Sequence, residues 1–210
     1  MACGYVWGLV YGCYGNFLAG DNIVRNGGVC AFERRSHKEE ILMLIERKWA
    51  MPNKNTFKIK PIAKLLKEEI KGFPWIDPFA NISKLADVTN DLNPEFDTDY
   101  HLEAFDFLQM FDFESIHGVL FDPPYSVRQI TECYRSVGKK ATQETTRSDW
   151  WTRHKKEIAR IVEPGGKVIS FGWNSGGIGK SNGFTITRIL LVPHGGIHND
   201  TIVTVEIKER

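Results

Sequence analysis

Net charge is nearly absent from this chain of 210 residues. Its 27 Lys and Arg stand against 26 Asp and Glu, leaving a formal +1 at pH 7. Bulk charge therefore neither demands nor excludes a nucleic-acid partner. Cysteine is scarce as well. Cys3, Cys13, Cys30 and Cys133 form no CxxC pair, which argues against a disulfide-dense scaffold. A zinc site from Cys3, Cys13, Cys30 and His37 is the weaker reading beside free thiols in a reducing cytoplasm, so no metal is expected. Residues 1–20 carry no charge, but they lack the basic leader and cleavage site of a signal peptide. They are also too short and glycine-rich for a membrane-spanning helix, and read as a folded, hairpin-like extension. No repeat or low-complexity tract appears. The length suits one domain with a real core.

What is there is patterned. Basic residues predominate over residues 47–71 and again over 126–160, whereas residues 77–122 hold eleven acidic residues and one basic. Such flanks suit a protein that grips phosphate outside and does its chemistry inside, although solvated helix faces would give the same counts. Residues 36–49 read as an amphipathic helix, with Ser36 as N-cap and Glu39 completing a capping box. Residues 59–71 place Ile62, Leu65, Leu66 and Ile70 at helical spacing and stop at Gly72. Short apolar runs then end in acids: Trp75-Ile76 at Asp77, Val88 before Asp91, and residues 118–121 at Asp122. Helical patterns near 103–110, 127–137 and 149–162 alternate with a strand over 167–173, and two β-rich runs close the chain at 184–192 and 201–207. Alternation of this kind predicts an open α/β sheet. Ligands in such sheets sit beyond the carboxyl ends of the strands, where Asp77, Asp91 and Asp122 fall.

The string Asp122-Pro123-Pro124-Tyr125 carries the most chemistry. A polar turn with a Pro-Pro stop would look the same, but its place after a buried strand gives it a sharper meaning. The prolines fix the backbone so that the Asp122 carboxylate and the Pro123 carbonyl converge on one spot, with the flat face of Tyr125 alongside. An aromatic amine is a poor nucleophile because its lone pair is delocalised. Two acceptors on its N–H bonds localise that pair and stabilise the positive charge that develops, and the tyrosine face can hold a base rotated out of a duplex.

The same string resembles motif IV of the amino-methyltransferases, in the form typical of enzymes acting on adenine N6. Further matches follow in order. Asp77-Pro78-Phe79-Ala80 looks like the start of the D-P-F-A-G-x-G cofactor motif, with Asn81 and Ser83 where that motif has glycines. Asp91 is placed like the acid that binds the ribose hydroxyls, and Glu103 like the residue that meets the cofactor adenine. Phe57 to Pro61 looks like the N-terminal cofactor motif, and Glu163-Pro164-Gly165-Gly166-Lys167 like the turn before the fifth strand. The resemblance covers about residues 43–208 and is nearest to small phage-encoded DNA adenine methylases. It implies a Rossmann-like class I S-adenosylmethionine-dependent methyltransferase fold, α/β, with a mostly parallel seven-stranded sheet. Because so few residues separate Asp77 from Asp91, the first crossover must be shortened to a loop or single turn.

The implied cofactor is S-adenosylmethionine, held by Phe57, Pro61, Asp77, Pro78, Phe79, Ala80, Asn81, Asp91 and Glu103. The implied catalytic group is Asp122, Pro123, Pro124 and Tyr125. DNA is the expected partner, met by Arg128, Lys139, Lys140 and Arg147, in the cytoplasm of the cell (or of a phage host), with a homodimer open. Residues 1–42 are an extension and 43–210 the methyltransferase domain. Two rivals stand: the same chemistry on RNA or cytosine N4, and a fold that binds nucleic acid or protein without catalysing. Residues 174–181 mimic a phosphate-binding P-loop, but lack its first glycine and precede a β-rich run; a flexible hairpin that touches substrate fits better. His194 and His198 read as turn residues. Trp150-Trp151 read equally as base-stacking or helix-start packing.

Overall fold

The structure, a computed structural model, describes residues 22–26, 29–33, 43–196 and 198–209. The chain forms two compact units, Met1–Glu40 and Ile41–Arg210. In the first, β1 (Asn22–Asn26) and β2 (Val29–Glu33) pair antiparallel. The expectations for residues 1–20, for the Ser36–Glu39 cap and for a zinc group using Cys3, Cys13 and His37 lie outside the described residues. Among the described residues no cluster of metal-ligating side chains occurs, and no helix is long and apolar enough to cross a membrane.

The second unit is an α/β sheet of seven strands. Its elements are β3 (Leu44–Arg47), α1 (Lys60–Glu69), β4 (Trp75–Asp77), β5 (Val88–Thr89), α2 (Ala104–Gln109), β6 (Ile116–Phe121), α3 (Val127–Ser136), α4 (Trp150–Ile161), β7 (Val162–Gly172), β8 (Phe184–Val192) and β9 (Thr201–Lys208). The strand order is β3-β8-β9-β7-β6-β4-β5. Only β9 runs antiparallel to its neighbours, so the sheet is mostly parallel and Rossmann-like, as expected. Period-two alternation sorts the core onto two faces. Trp75, Leu120 and Ile169 pack with Ile62, Leu65 and Leu66 of α1 on one face. Ile76, Val119, Phe121 and Val168 pack with Phe107 and Leu108 of α2 and Ile158 and Ile161 of α4 on the other.

One expectation fails. Residues 44–47 are strand, not helix, and they supply the seventh strand by pairing in parallel with β8. Leu44 and Ile45 are both exposed, so no buried face selects a helical period. The open backbone edge of β8 decides instead, helped by Arg188, whose guanidinium Nε and Nη2 donate to the Glu46 carboxylate at 2.8 and 2.5 Å. Arg188 also reaches Glu68 and Glu69 at 2.8 and 3.1 Å, tying β3 and β8 to the end of α1.

The first crossover is as short as its spacing requires. Residues 78–87 contain no helix, and the chain re-enters the sheet as Asp87 N–H donates to the Trp75 carbonyl at 2.8 Å. After β5 the chain makes only an isolated bridge between Asn90 and Tyr100. It then crosses back to the other side of β4 as β6. Strand order thus reverses between β4 and β6, which opens a crevice at their carboxyl ends. The contact there is close: a Cβ on Gly118 would lie 2.3 Å from the Trp75 ring. Gly118→Ala should therefore displace a fully buried tryptophan and cost about 1–3 kcal/mol or more by overpacking, read as a lowered denaturant midpoint at unchanged slope.

Candidate active site

Asp77 ends β4 and is fully buried. Its Oδ1 accepts the Phe79 N–H at 3.1 Å, while Oδ2 has no hydrogen-bond partner among the described residues. Burial, reinforced by the nearby Asp122 and Asp91, pushes its carboxyl well above the ordinary range. The turn that follows solves the problem of the missing glycines. Asn81 takes the left-handed conformation (φ 50°), which Asn tolerates better than other side chains. Ser83 needs no positive φ; its N–H closes a turn on the Ala80 carbonyl at 2.7 Å.

Asp91 fixes this turn from beyond β5. Its Oδ2 accepts the Asn81 N–H and its Oδ1 the Asn93 N–H, both at 2.9 Å. Burial raises its carboxyl pKa despite those bonds. Asn90, fully buried, stitches the next layer: its amide donates to the Pro78 and Leu102 carbonyls at 3.1 Å and its oxygen accepts the Leu102 N–H at 2.8 Å. That places Glu103 beside Pro78. The Glu103 carboxylate accepts from the Tyr134 hydroxyl, and burial keeps that phenol protonated and donating.

Asp122 follows β6, half-buried, and burial pushes its pKa up to about 6 even though the Tyr125 hydroxyl donates to it. Two clamps hold the motif's backbone. Gln129 Oε1 accepts the Tyr125 N–H at 2.6 Å, and the Trp151 indole donates to the Pro124 carbonyl at 2.8 Å. Ser126 caps α3 by accepting the Gln129 N–H at 3.3 Å, so the motif ends where a helix begins.

Two cavities meet at Asp122 and Thr56. The larger, about 750 Å³, is lined by Pro78, Phe79, Asp91, Glu103 and the whole of Asp122-Pro123-Pro124-Tyr125. The smaller, about 280 Å³, is lined by Phe57, Ala80 and Asn81. The residues read from the sequence as cofactor-binding and catalytic therefore gather in one crevice, with two exceptions. Asp77 lies buried behind it, and Pro61 lines neither cavity, standing at the first turn of α1 where its missing N–H costs nothing.

The basic residues behave differently. Arg128 pairs with Glu132 at 2.8 Å, Lys139 with Glu103 at 3.6 Å and Arg147 with Asp149 at 3.1 Å. Lys140 makes no ion pair among the described residues. Sequence reasoning missed Thr56, Asn90, Gln129, Tyr134 and His154, since lone polar residues carry no spacing signal. His154 is buried in the larger cavity's wall, donates from Nδ1 to the Trp150 carbonyl at 2.7 Å, and burial lowers its pKa to about 4, so it is neutral. Trp150 packs with Ile130 and Tyr134, and Trp151 positions the motif, so that pair resolves as packing.

The P-loop mimic is closed. The Ile178 and Gly179 N–H groups donate to Glu206 at 2.6 and 2.9 Å, and a Cβ on Gly177 would collide with that carboxylate at 2.2 Å. A buried carboxylate sits where a phosphate would. His194 is likewise local, donating to the Ala50 carbonyl at 2.9 Å and accepting from the Thr201 hydroxyl at 2.9 Å.

Because Asp91 supports the Asn81 turn through two backbone bonds, Asp91→Ala should act twice. Loss of hydrogen bonds to a charged acceptor, at about 1.5–3 kcal/mol each, predicts a lower melting temperature. Any ligand held by that carboxylate should bind roughly tenfold or more weakly.

No family model matches the chain, and no curated protein does. Among solved structures it is similar to the 1,6-didemethyltoxoflavin-N1-methyltransferase of Burkholderia thailandensis, determined with S-adenosylhomocysteine. Identity there is 12% and the TM-score 0.47, over 72% of this chain and 78% of that one. It is also similar to TrmN from Thermus thermophilus, at 16% identity and a TM-score of 0.44, over 71% of this chain and 49% of that one.

Proposed function

We propose that the chain transfers a methyl group from S-adenosylmethionine to the N6 amino group of adenine in DNA. The observation that carries this reading is the position of Asp122-Pro123-Pro124-Tyr125 at the carboxyl end of β6, with Asp122 joining two cavities at the strand-order reversal. The acceptor groups around the crevice fit the cofactor. Asp91 offers a carboxylate for ribose hydroxyls and Glu103 a carboxylate for an exocyclic amine, while Asp77, buried behind the crevice wall, keeps an unpartnered oxygen for a cationic group. When bound, S-adenosylmethionine supplies an electrophilic methyl group on a sulfonium.

The chain's own residues would prepare the acceptor. Ionised Asp122 and the Pro123 carbonyl take the two N–H bonds of the amine and localise its lone pair, and their hydrogen bonds strengthen as the nitrogen becomes positive. The Tyr125 ring supplies the stacking face. Arg128, Lys139, Lys140 and Arg147 are the candidate phosphate contacts, although none of them lines either cavity. Calorimetry with S-adenosylmethionine and nucleoside mass spectrometry of methylated products test the proposal. N6-methyladenine from DNA is expected; N4-methylcytosine or a product from RNA alone would move the acceptor, and no cofactor binding at millimolar concentration would remove the enzyme. Replacing Lys139, Lys140 and Arg147 together should reduce the salt slope of DNA binding by about one to three units, toward the lower end because two of the three are already paired within the chain. An unchanged slope would place DNA elsewhere, on the basic residues 54–71.

A further inference from the structure

The Tyr125 hydroxyl donates to Oδ1 of Asp122, the same carboxylate on which the acceptor's amine would sit. Thr56, from the turn before α1, lines both cavities beside Asp122. The motif's backbone cannot yield, since Gln129 holds the Tyr125 N–H and Trp151 the Pro124 carbonyl. The contact between the two side chains is therefore what a ligand must open. Beside Tyr125 stands Trp173, 42% exposed and edge-on at 5.6 Å between ring centroids. We propose that Tyr125 is a specificity-determining residue whose hydroxyl stands in for the acceptor's amino group on Asp122, so that the site admits planar aromatic amines and rejects bases lacking the amine. The proposal deepens the methyltransferase reading and rests on it only for the acceptor's identity.

The exchange is donor for donor. An incoming N–H replaces the phenolic O–H on Asp122, while the freed ring offers its face to the base. A base with no N–H at that place would displace the phenol and leave the half-buried carboxylate short of a donor, at a cost of the order of tenfold or more in affinity. A ligand with the N–H but no aromatic face would gain nothing from the released ring. The titratable groups facing Asp122 are Tyr125 on its own loop and Asp77 at the end of β4, so the Tyr125 contact can be read through Asp122 itself.

The test uses the full chain, with deoxyadenosine monophosphate and purine deoxyriboside monophosphate, which lacks the amine, as probes in calorimetry without cofactor. Wild type should prefer the amino nucleotide by about tenfold or more. Tyr125→Phe, with no phenol to displace, should bind both probes about tenfold tighter than wild type does and keep the preference for the amino nucleotide. Carbon-detected NMR titration of the Asp122 carboxyl should move above its position of about 6, since a donor that stabilised the charge has gone. Equal affinity of wild type for the two probes overturns the proposal. So does a Tyr125→Phe variant that binds the amino nucleotide no tighter, with the Asp122 titration unmoved. If the probes and titration behave as expected but no substrate is methylated, Tyr125 keeps this role and the methyltransferase reading falls.

Discussion

Asp122→Asn is expected to lower methyl transfer about a hundred- to a thousandfold while raising the melting temperature near pH 8. Both effects come from one carboxyl group. Burial lifts its pKa from 3.8 to about 6, so the folded chain holds a proton there that the unfolded chain has already lost. Stability from this group is greatest below about pH 4 and is lost as pH rises through about 6. Two pKa units at about 1.4 kcal/mol each make that loss about 3 kcal/mol. Asparagine carries no such penalty, so the variant's advantage should be full at pH 8 and vanish toward pH 4. Catalysis needs the ionised form, because the group must accept an N–H that gains positive character. In the wild type kcat/KM should therefore fall below about pH 6. Asparagine keeps a carbonyl acceptor but not the charge, and S-adenosylmethionine affinity should stay within a few-fold. A variant as active as wild type would reduce Asp122-Pro123-Pro124-Tyr125 to a turn.

Asp77→Asn should have the larger effect on cofactor capture. The carboxyl is fully buried, one oxygen is orphaned, and burial with two neighbouring acids pushes its pKa well up. Such a group destabilises the chain by itself and is offset when a cation arrives. If the cofactor's cation is admitted behind the crevice wall to Asp77, removing one partner of that buried charge pair costs about 3–5 kcal/mol, and affinity for S-adenosylmethionine should drop a hundredfold or more. The variant alone should melt higher than wild type at neutral pH and lose most of the shift that saturating cofactor gives the wild type. Unchanged affinity would mean that Asp77 serves only the Phe79 turn.

The sequence made the sheet legible wherever burial imposed a period. The runs at 75–77, 116–121 and 184–192 have side chains packed on defined faces, and so do the helices at 60–69 and 150–161. Residues 44–47 were not legible, because an exposed edge strand has no buried face to read and its partner, β8, lies far along the chain. The site was legible in its acids, which stand at strand ends, and in Asn81, whose type matches the φ it adopts. Asn90, Thr56 and Gln129 were not, because each acts through contacts across elements that only the fold brings together. Local charge marks Lys139 and Arg147 as phosphate contacts but cannot show that Glu103 and Asp149 already face them.

The most direct measurement is transfer of labelled methyl from S-adenosylmethionine to duplex DNA by the wild-type chain, followed by nucleoside analysis, beside Asp122→Asn. The account predicts label in N6-methyladenine from the wild type and about a hundredfold less or lower from the variant. No label from the wild type at millimolar cofactor, or equal label from both proteins, would contradict it.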